Sequence, residues 1–261
     1  MKTDKTPLNY REIMALSEEE RYEHNVYHRW DNAANQRKLG RLYGMVAEKE
    51  DAEIVAAISG RRVLDVGAGY GFFARRLIDH GFEVTAIDPN QELCQLARQW
   101  YGVEVLRHDI HEMPFPAGSF NTVIFRESVE HLDCFQAFRE ADRLVTNSVL
   151  IFQTHLSPAV RLSRLLAGHE ELRPEGLEYY QDLLRQLGYS HQEVTFRDIF
   201  VLPLSGGTLT QQLVPPIRLV ENLVVSLDEW VNRLVHSFRT ERLFCWRFLL
   251  RAQKPSAYLS T

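Results

Sequence analysis

The sequence has few cysteines and no arrangement that would pair them. Cys94, Cys134 and Cys245 are scattered along 261 residues, and none belongs to a C-x-x-C pair. This usage indicates reduced thiols with structural roles rather than a disulfide framework. His24 and His28 would share one face of a helix, but no third ligand accompanies them, so no metal site is predicted.

Long apolar runs and targeting segments are also missing. No run of about 18 apolar residues occurs, and the charged N-terminal segment MKTDK is not followed by an apolar core. The first absence argues against a transmembrane helix and the second against a signal peptide. We therefore expect a cytoplasmic protein without a transmembrane segment.

The chain carries no excess of positive charge. Its formal net charge is −5 at pH 7, which argues against a dedicated nucleic-acid surface. A hydrophobic content of 45% supports a sizeable core, and the length suits one large α/β domain. Because no repeat, low-complexity tract or linker interrupts the chain, a single domain is predicted over residues 1–261.

The most informative stretch is a glycine-rich turn between a strand and a helix. The apolar run Val63–Val66 indicates a buried strand, and apolar residues at helical spacing follow the turn. The turn itself reads Gly67, Ala68, Gly69, Tyr70 and Gly71. Alternate glycines allow backbone N–H groups to approach a ligand closely, and the following helix adds unpaired donors and the positive end of its dipole. An anionic group is therefore predicted to bind here.

The neighbours of this turn distinguish between two classes of ligand. The dinucleotide fingerprint is G-x-G-x-x-G, whereas this turn is G-x-G-x-G, with Phe72 at the place of the third glycine. Asp65 adds a carboxylate at the end of the strand, which would repel a pyrophosphate but attract an ammonium or sulfonium group. The pattern favours S-adenosyl-L-methionine. At these residues the chain resembles the class I S-adenosylmethionine-dependent methyltransferases.

Two further acids occur where that resemblance implies cofactor contacts. A second strand is predicted to end at Asp88, just before Pro89, and a carboxylate there can accept hydrogen bonds from both ribose hydroxyls. A third strand, Val103–Leu106, precedes Asp109 and Ile110. In the resembling family, this aspartate accepts a hydrogen bond from the adenine amino group and the next residue packs on the ring. A capping aspartate in a turn is the alternative for Asp109.

Residues 113–132 carry a second resemblance. They run from Met-Pro-Phe to Glu-His-Leu and are similar to the type 11 methyltransferases, which include enzymes that act on ubiquinone and menaquinone precursors. Asn121 stands where that group usually has aspartate, so a charge is lost but an acceptor is kept. Phe125 and Arg126 are predicted to end the fourth strand opposite the glycine turn. Their backbone would then meet the methionine portion of the cofactor.

Three residues are candidates for a general base. Glu130 and His131 follow the fourth strand, close to where the methyl group would be delivered. Because Glu-His-Leu recurs in the family with different acceptors, a structural or cofactor-shaping role is the favoured interpretation. His155 follows the fifth strand, Val149–Gln153, and is a second candidate for a polar contact or base.

Two segments are predicted to cover the carboxyl edge of the sheet, on either side of a cofactor-binding core at residues 59–155. Residues 1–58 are polar and helical, and the resemblance implies a lid with Tyr27 and Trp30 as candidate cofactor contacts. Ordinary packing of these aromatic residues is an equal alternative.

The acceptor-side half, residues 156–261, contains an insertion at about 201–243 between the sixth strand, Glu193–Phe200, and the last strand. The insertion includes an amphipathic helix from about Leu227 to Phe238, with Ser226 or Asp228 at its start. Its apolar character points to a hydrophobic or aromatic acceptor.

These observations predict a Rossmann-like, doubly wound α/β fold. The resemblance implies a mostly parallel sheet of seven strands with an antiparallel last strand and a helical cap. The predicted function is transfer of a methyl group from S-adenosylmethionine to a small-molecule acceptor, an activity of class EC 2.1.1. A non-catalytic binding protein with this fold is one alternative. A nicotinamide-dependent oxidoreductase is a weaker one, because it has no need for Asp65 or Asp109. The acceptor atom and the oligomeric state stay open.

Overall fold

The computed structural model describes residues 41–166, 176–201 and 213–255. Tyr27 and Trp30 therefore lie outside the described residues, as does most of the predicted N-terminal lid.

Within these residues, a single sheet of seven strands forms the centre of the fold. The strands are β1 Arg62–Val66, β2 Glu83–Ile87, β3 Val105–Leu106, β4 Phe120–Arg126, β5 Val145–Thr154, β6 His191–Arg197 and β7 Arg247–Gln253. Their order is β3-β2-β1-β4-β5-β7-β6. Neighbours from β3 to β5 are parallel, whereas β7 is antiparallel to both β5 and β6. The predicted mostly parallel sheet with an antiparallel last strand is confirmed.

Helices cover both faces of the sheet. They are α1 Arg41–Ala57, α2 Phe72–Asp79, α3 Gln91–Tyr101, α4 Cys134–Leu144, α5 Pro158–Leu166, α6 Leu177–Gln186, α7 Arg218–Ser237 and α8 Glu241–Phe244. Two short 3-10 turns, Ile110–Glu112 and Val129–His131, follow β3 and β4. In the part of the chain that is described, no helix is long and apolar enough to cross a membrane.

The alternation of side chains along β1 divides the core between the two faces. Leu64 and Val66 pack with Phe138 of α4, whereas Val63 packs with Ile54 of α1 on the other face. Successive side chains of a strand point to opposite faces, so both faces of β1 are buried. This is why its sequence is a nearly continuous apolar run.

A separate apolar cluster lies beyond the carboxyl edge of the sheet. It joins Leu42 and Val46 of α1, Val160 of α5, Val225 of α7 and Trp246, which immediately precedes β7. We call these five residues the cap cluster. Because β7 is antiparallel, its first residue lies at the edge where the parallel strands end. The first half of α1 and the insertion helix α7 thus cover that edge.

Several strand boundaries were predicted wrongly: β5 begins at Val145 rather than Val149 and β6 at His191 rather than Glu193. Two further differences have a clear local cause. β3 begins at Val105 rather than Val103, because Gly102 ends α3 in a left-handed conformation and the Val103 N–H donates to Ala97 O at 3.3 Å. β6 ends at Arg197 rather than Phe200, since Asp198 takes a left-handed φ of 57°. A residue with positive φ cannot continue a strand.

The predicted start of the insertion helix was also wrong. α7 begins at Arg218, nine residues before Leu227, so Ser226 and Asp228 lie inside it. The Asp228 carboxylate accepts hydrogen bonds from three consecutive N–H groups of residues 199–201, at 3.2, 2.8 and 2.9 Å. Asp228 therefore holds the chain that leaves β6. It does not cap its own helix.

Candidate active site

The glycine turn has the backbone conformation that its sequence predicts. Gly67, Gly69 and Gly71 have φ values of 75°, 54° and 72°, in the left-handed region that disfavours side chains. A Cβ atom on Gly67 would lie 2.6 Å from the Ser128 Cβ, whereas one on Gly69 would meet nothing within 4 Å. Gly69 therefore faces open space, and the other two glycines are needed for packing.

Four N–H groups of the turn already have acceptors inside the protein. Three donate to backbone carbonyl oxygens at 2.9 Å: those of Gly67, Ala68 and Gly71. The Gly69 N–H donates to Asp88 Oδ2 at 2.9 Å. The Gly71 bond, to Ala68 O, closes the turn on itself, and the other three bonds hold the turn against Ile87 and Asp88. The predicted approach of the turn's backbone to a ligand stays a prediction. The N-terminus of α2 has no side-chain cap.

Asp88 and Asp109 lie after neighbouring strands, β2 and β3. The mostly buried Asp88 carboxylate also accepts the Asn90 N–H at 2.8 Å. Asp109 Oδ1 accepts the His111 N–H at 3.0 Å and so caps the 3-10 turn that follows, which is the capping role considered as its alternative. Burial opposes ionisation of Asp109, but hydrogen bonds from His111 lower its pKa overall. Ile110 is buried in the core.

Asp65 is a buried carboxylate beside the glycine turn. Its Oδ2 atom has no hydrogen-bond partner among the described residues. Burial raises the pKa of Asp65 to about 7, although the positive charge of Arg126 opposes this. A cation placed next to this oxygen would compensate its desolvation.

Three arginines lie at the carboxyl edge on β4, β7 and β6, and each pairs with an acid of α1. The pairs are Arg126 Nη2 with Asp51 Oδ1 at 3.0 Å, Arg247 Nε with Glu50 Oε1 at 3.7 Å, and Arg197 Nη1 with Glu53 Oε1 at 3.1 Å. We call Arg126, Arg247 and Arg197 the arginine row. It attaches the second half of α1 to the ends of three strands.

Two of these acids, Glu50 and Asp51, are almost completely buried, whereas the Glu53 side chain is 43% exposed. Burial raises the pKa of Glu50 to about 7, against the opposing charge of Arg247. Burial likewise raises the pKa of Asp51, although Arg126 and Arg76 oppose it. Asp51, Glu50 and Asp65 thus place three buried carboxylates near the carboxyl edge on one face of the sheet.

Only the backbone of Arg126 was expected at this edge, and no role was predicted for Glu50, Asp51, Arg197 and Arg247. One signal was present: Leu42, Val46 and Ile54 are buried at helical spacing in α1, and Glu50 occupies the missing position of that stripe. A charged residue inside an apolar stripe indicates a buried, paired charge.

The structure separates the three candidate bases. Glu130 and His131 lie in the 3-10 turn after β4, with 3.6 Å between Glu130 Oε1 and His131 Nε2. Gln153 Nε2, near the end of β5, donates to Glu130 Oε2 at 3.3 Å. The His131 side chain is 74% exposed. Glu130 is the candidate held in place at the strand ends.

His155 is bound to a different part of the structure. Its Nε2 lies 3.0 Å from the carbonyl oxygen of Arg242 in α8, so this nitrogen carries the proton and donates it. Burial lowers the pKa of His155. The ring packs edge-on against Phe196, with 5.0 Å between the ring centroids. The geometry gives His155 a structural role between α8 and β6.

Phe125 and Arg126 occupy the predicted end of β4. The Phe125 side chain is buried against Phe138 of α4, with ring centroids 5.4 Å apart. The Arg126 guanidinium lies over the Phe73 ring at 5.4 Å. Both side chains are thus occupied within the protein. No group of three or more potential metal ligands occurs in residues 41–166, 176–201 and 213–255.

Known proteins with similar sequences identify the family. The type 11 family profile described as "Methyltransferase domain" matches residues 64–152. The ubiquinone biosynthesis O-methyltransferase of Xanthomonas campestris pv. campestris is 30% identical over 171 residues, which cover 60% of this chain and 69% of that protein. The chain belongs to the class I S-adenosylmethionine-dependent methyltransferases of type 11.

Other similarities agree with this membership. The 2-methyl-6-phytyl-1,4-hydroquinone methyltransferase 1 of Oryza sativa subsp. japonica is 30% identical to this methyltransferase over 47% of the chain and 39% of that protein. Among solved structures, a geranyl diphosphate methyltransferase aligns with a TM-score of 0.59 and 12% identity, covering 82% of each chain. A methyltransferase from Archaeoglobus fulgidus aligns with a TM-score of 0.57 and 18% identity, covering 81% of this chain and 94% of its own. At such identities the solved structures confirm the fold alone.

The family membership confirms the predicted enzyme class and cofactor. The protein is a methyltransferase of class EC 2.1.1 that uses S-adenosylmethionine, and the oxidoreductase alternative is wrong.

Proposed function

We propose that this methyltransferase transfers the methyl group to an oxygen of a small apolar acceptor with an aromatic ring. The similarity to ubiquinone biosynthesis O-methyltransferases over 69% of their length carries the proposal. The rice relative, named for a hydroquinone, supports an acceptor of the same chemical class.

The cap is consistent with an apolar acceptor. The cap cluster places aliphatic and aromatic side chains beyond the carboxyl edge, where ligands bind in open α/β folds. S-adenosylmethionine supplies a methyl group on an activated leaving group, so the protein mainly aligns the two reactants and excludes water. An apolar cap over the site would exclude water.

We further propose that the cofactor lies along the ends of β1, β2 and β3. The buried Oδ2 of Asp65, which has no hydrogen-bond partner among the described residues, fits the ammonium group of the cofactor. The open space at Gly69 leaves room for the cofactor to approach the backbone of the turn. Asp88 would accept hydrogen bonds from the ribose, and Asp109 and Ile110 would lie by the adenine. The backbone of Phe125 and Arg126 would meet the methionine portion.

Cofactor affinity is expected to rise with pH through Asp65. Its pKa of about 7 in the cofactor-free protein means that much of it is protonated at pH 6, and a neighbouring ammonium favours the ionised form. Binding below the pKa must therefore release a proton, which weakens affinity by up to about tenfold per pH unit. Calorimetric titration with S-adenosylhomocysteine at pH 6, 7 and 8 measures this slope.

Two variants separate Asp65 from Glu50, whose pKa is also raised to about 7. Asp65→Asn should bind more weakly and without this pH dependence, whereas Glu50→Gln should retain the slope. A wild-type affinity that does not change between pH 6 and 8 would contradict the assignment of Asp65.

A panel of acceptors tests the proposed function. Formation of S-adenosylhomocysteine is measured with alkyl-substituted catechols and hydroquinones, and with amines of similar size as the matched controls. Turnover is expected with the phenolic compounds only. Methylation of the amines alone would contradict the proposal.

Replacement of Glu130 or His131 is expected to spare cofactor binding. Glu130→Gln keeps an oxygen that can accept the Gln153 amide, so S-adenosylhomocysteine affinity should stay within about twofold. If Glu130 takes the phenolic proton, kcat should fall by about 100-fold or more. Calorimetry and initial rates distinguish the two effects, and lost binding would instead make Glu130 a cofactor residue.

A further inference from the structure

The outward side of α7 carries a continuous row of large apolar side chains. They recur every three or four residues, and all are exposed to solvent, from 37% for Leu234 to 78% for Leu219. We call this row the outer stripe; its members are Leu219, Leu223, Leu227, Trp230, Leu234 and Phe238. A helix of 20 residues is about 30 Å long. The exposed Leu243 and Phe244 of α8 follow the stripe in the chain.

Both sides of α7 carry apolar side chains, since Val225 is buried in the cap cluster with Val220 and Val224 packed against it, and the outer stripe faces solvent. The inner side of α7 also buries Glu221 and Asp228, which are only 0% and 4% exposed, whereas leucines and Trp230 face outwards. A helix that borders water normally places its apolar residues inwards. Monomeric proteins rarely expose a contiguous apolar patch of more than a few hundred Å². The outer stripe therefore requires a partner that is itself apolar.

Several exposed arginines lie in the segment that carries the outer stripe. Arg218, Arg233, Arg239 and Arg242 are all exposed in and after α7. Of the acids in the same segment, Glu221 and Asp228 are buried, Glu241 is half-buried, and the exposed Glu229 pairs with Lys49, while Arg242 pairs with Glu178 of α6. The arginines and Lys49 still outnumber these exposed and half-buried acids. The surface is locally positive although the whole chain has a net charge of −5.

This combination fits a lipid surface better than a second protein. A stripe of Leu, Trp and Phe bordered by arginine is the pattern of helices that lie in the plane of a membrane interface. Each arginine near an anionic lipid surface adds a favourable electrostatic contribution to binding. A second copy of the chain would bring the same positive surface against itself. Charge complementarity thus favours anionic lipid as the occupant.

We propose that the outer stripe of α7 docks this methyltransferase on a bilayer that contains anionic lipids. The inner side of α7 packs into the cap cluster through Val225, so one helix diameter, about 10 Å, separates the lipid from the cap. An apolar acceptor dissolved in the bilayer would then enter close to the carboxyl edge. This reason for docking rests on the proposed apolar acceptor, whereas the evidence from exposure and charge does not.

Vesicle flotation of the full chain tests the proposal. Vesicles of phosphatidylcholine alone are compared with vesicles in which about one lipid in three is phosphatidylglycerol. The wild type should float with the anionic vesicles, and added salt should reduce the bound fraction. The double variant Leu223→Glu/Trp230→Glu should lose at least about tenfold in bound protein, because its carboxylates enter the lipid and repel the headgroups.

Control variants separate docking from folding. Phe135→Glu makes the same chemical change at an aromatic residue of α4 that is 43% exposed, and it should float like the wild type. Arg233→Gln/Arg239→Gln keeps the outer stripe and should lower the preference for anionic vesicles. Circular dichroism verifies that each variant is folded.

Three results would overturn the proposal. The first is that the wild type does not float with the vesicles, and the second is that the double variant floats as well as the wild type. The third is that the wild type forms a dimer in vesicle-free solution and the double variant does not, which would assign the stripe to a second copy. None of these results bears on the acceptor class, since a short-chain catechol tests turnover without vesicles.

Discussion

Gly69→Val is expected to abolish cofactor binding, lowering the affinity for S-adenosylhomocysteine at least about 100-fold. Gly69 combines a φ of 54° with open space where a side chain would stand. A valine would fill the space proposed for the cofactor, and its branched side chain strongly disfavours positive φ. Both effects act on the same turn. Calorimetric titration of the purified variant measures the loss.

Gly102→Val provides the matched control for this prediction. Gly102 has a φ of 63°, and a Cβ atom there would also meet nothing within 4 Å. It ends α3 at the opposite edge of the sheet, before β3. The backbone strain should therefore lower stability in both variants by about 1–3 kcal/mol, but only Gly69→Val should lose binding. Equal affinities in the two variants would contradict the proposed position of the cofactor.

The sequence allowed the strand, turn and helix around Gly69 to be predicted because their determinants are local. Glycines that need positive φ, a strand that ends in Asp65 and an apolar helical pattern lie within one short segment. The position of Asp88 could be predicted because it follows a neighbouring parallel strand, and parallel strands end at the same edge of the sheet. The hydrogen bonds of the turn's own N–H groups could not be predicted in this way, since Asp88 and Ile87 at the end of β2 supply the acceptors for three of the four.

Contacts between distant segments were not predictable from such patterns. Arg126, Arg197 and Arg247 come together only because β7 runs antiparallel between β5 and β6. Asp228 has a residue type that favours helix starts, yet the N–H groups of residues 199–201 hold it in mid-helix. In both cases the partner comes from a distant part of the chain, which local sequence patterns do not indicate.

Arg126→Met is expected to lower the free energy of unfolding by about 3–5 kcal/mol, as removal of one member of a buried ion pair does. Asp51 would keep only its longer contact with Arg76, at 3.4 Å, while its burial persists. Urea unfolding at pH 8 measures the change. In contrast, Arg185→Met removes an ion pair with Asp182 whose side chains are 56% and 62% exposed, and should cost less than about 1 kcal/mol.

The pH dependence of this loss distinguishes an unpaired charge from lost packing. Without Arg126, the pKa values of Asp51 and Asp65 should rise further, because in the wild type the charge of Arg126 opposes the effect of burial on both pKa values. A folded-state pKa above the unfolded value means that the native state holds the proton more tightly, so stability falls as pH rises towards the folded pKa. The variant should therefore be less destabilised at pH 6 than at pH 8. A loss that is equal at both values would indicate that Arg126 acts through its contacts with Phe73 and Phe152, and would contradict an electrostatic role for the arginine row.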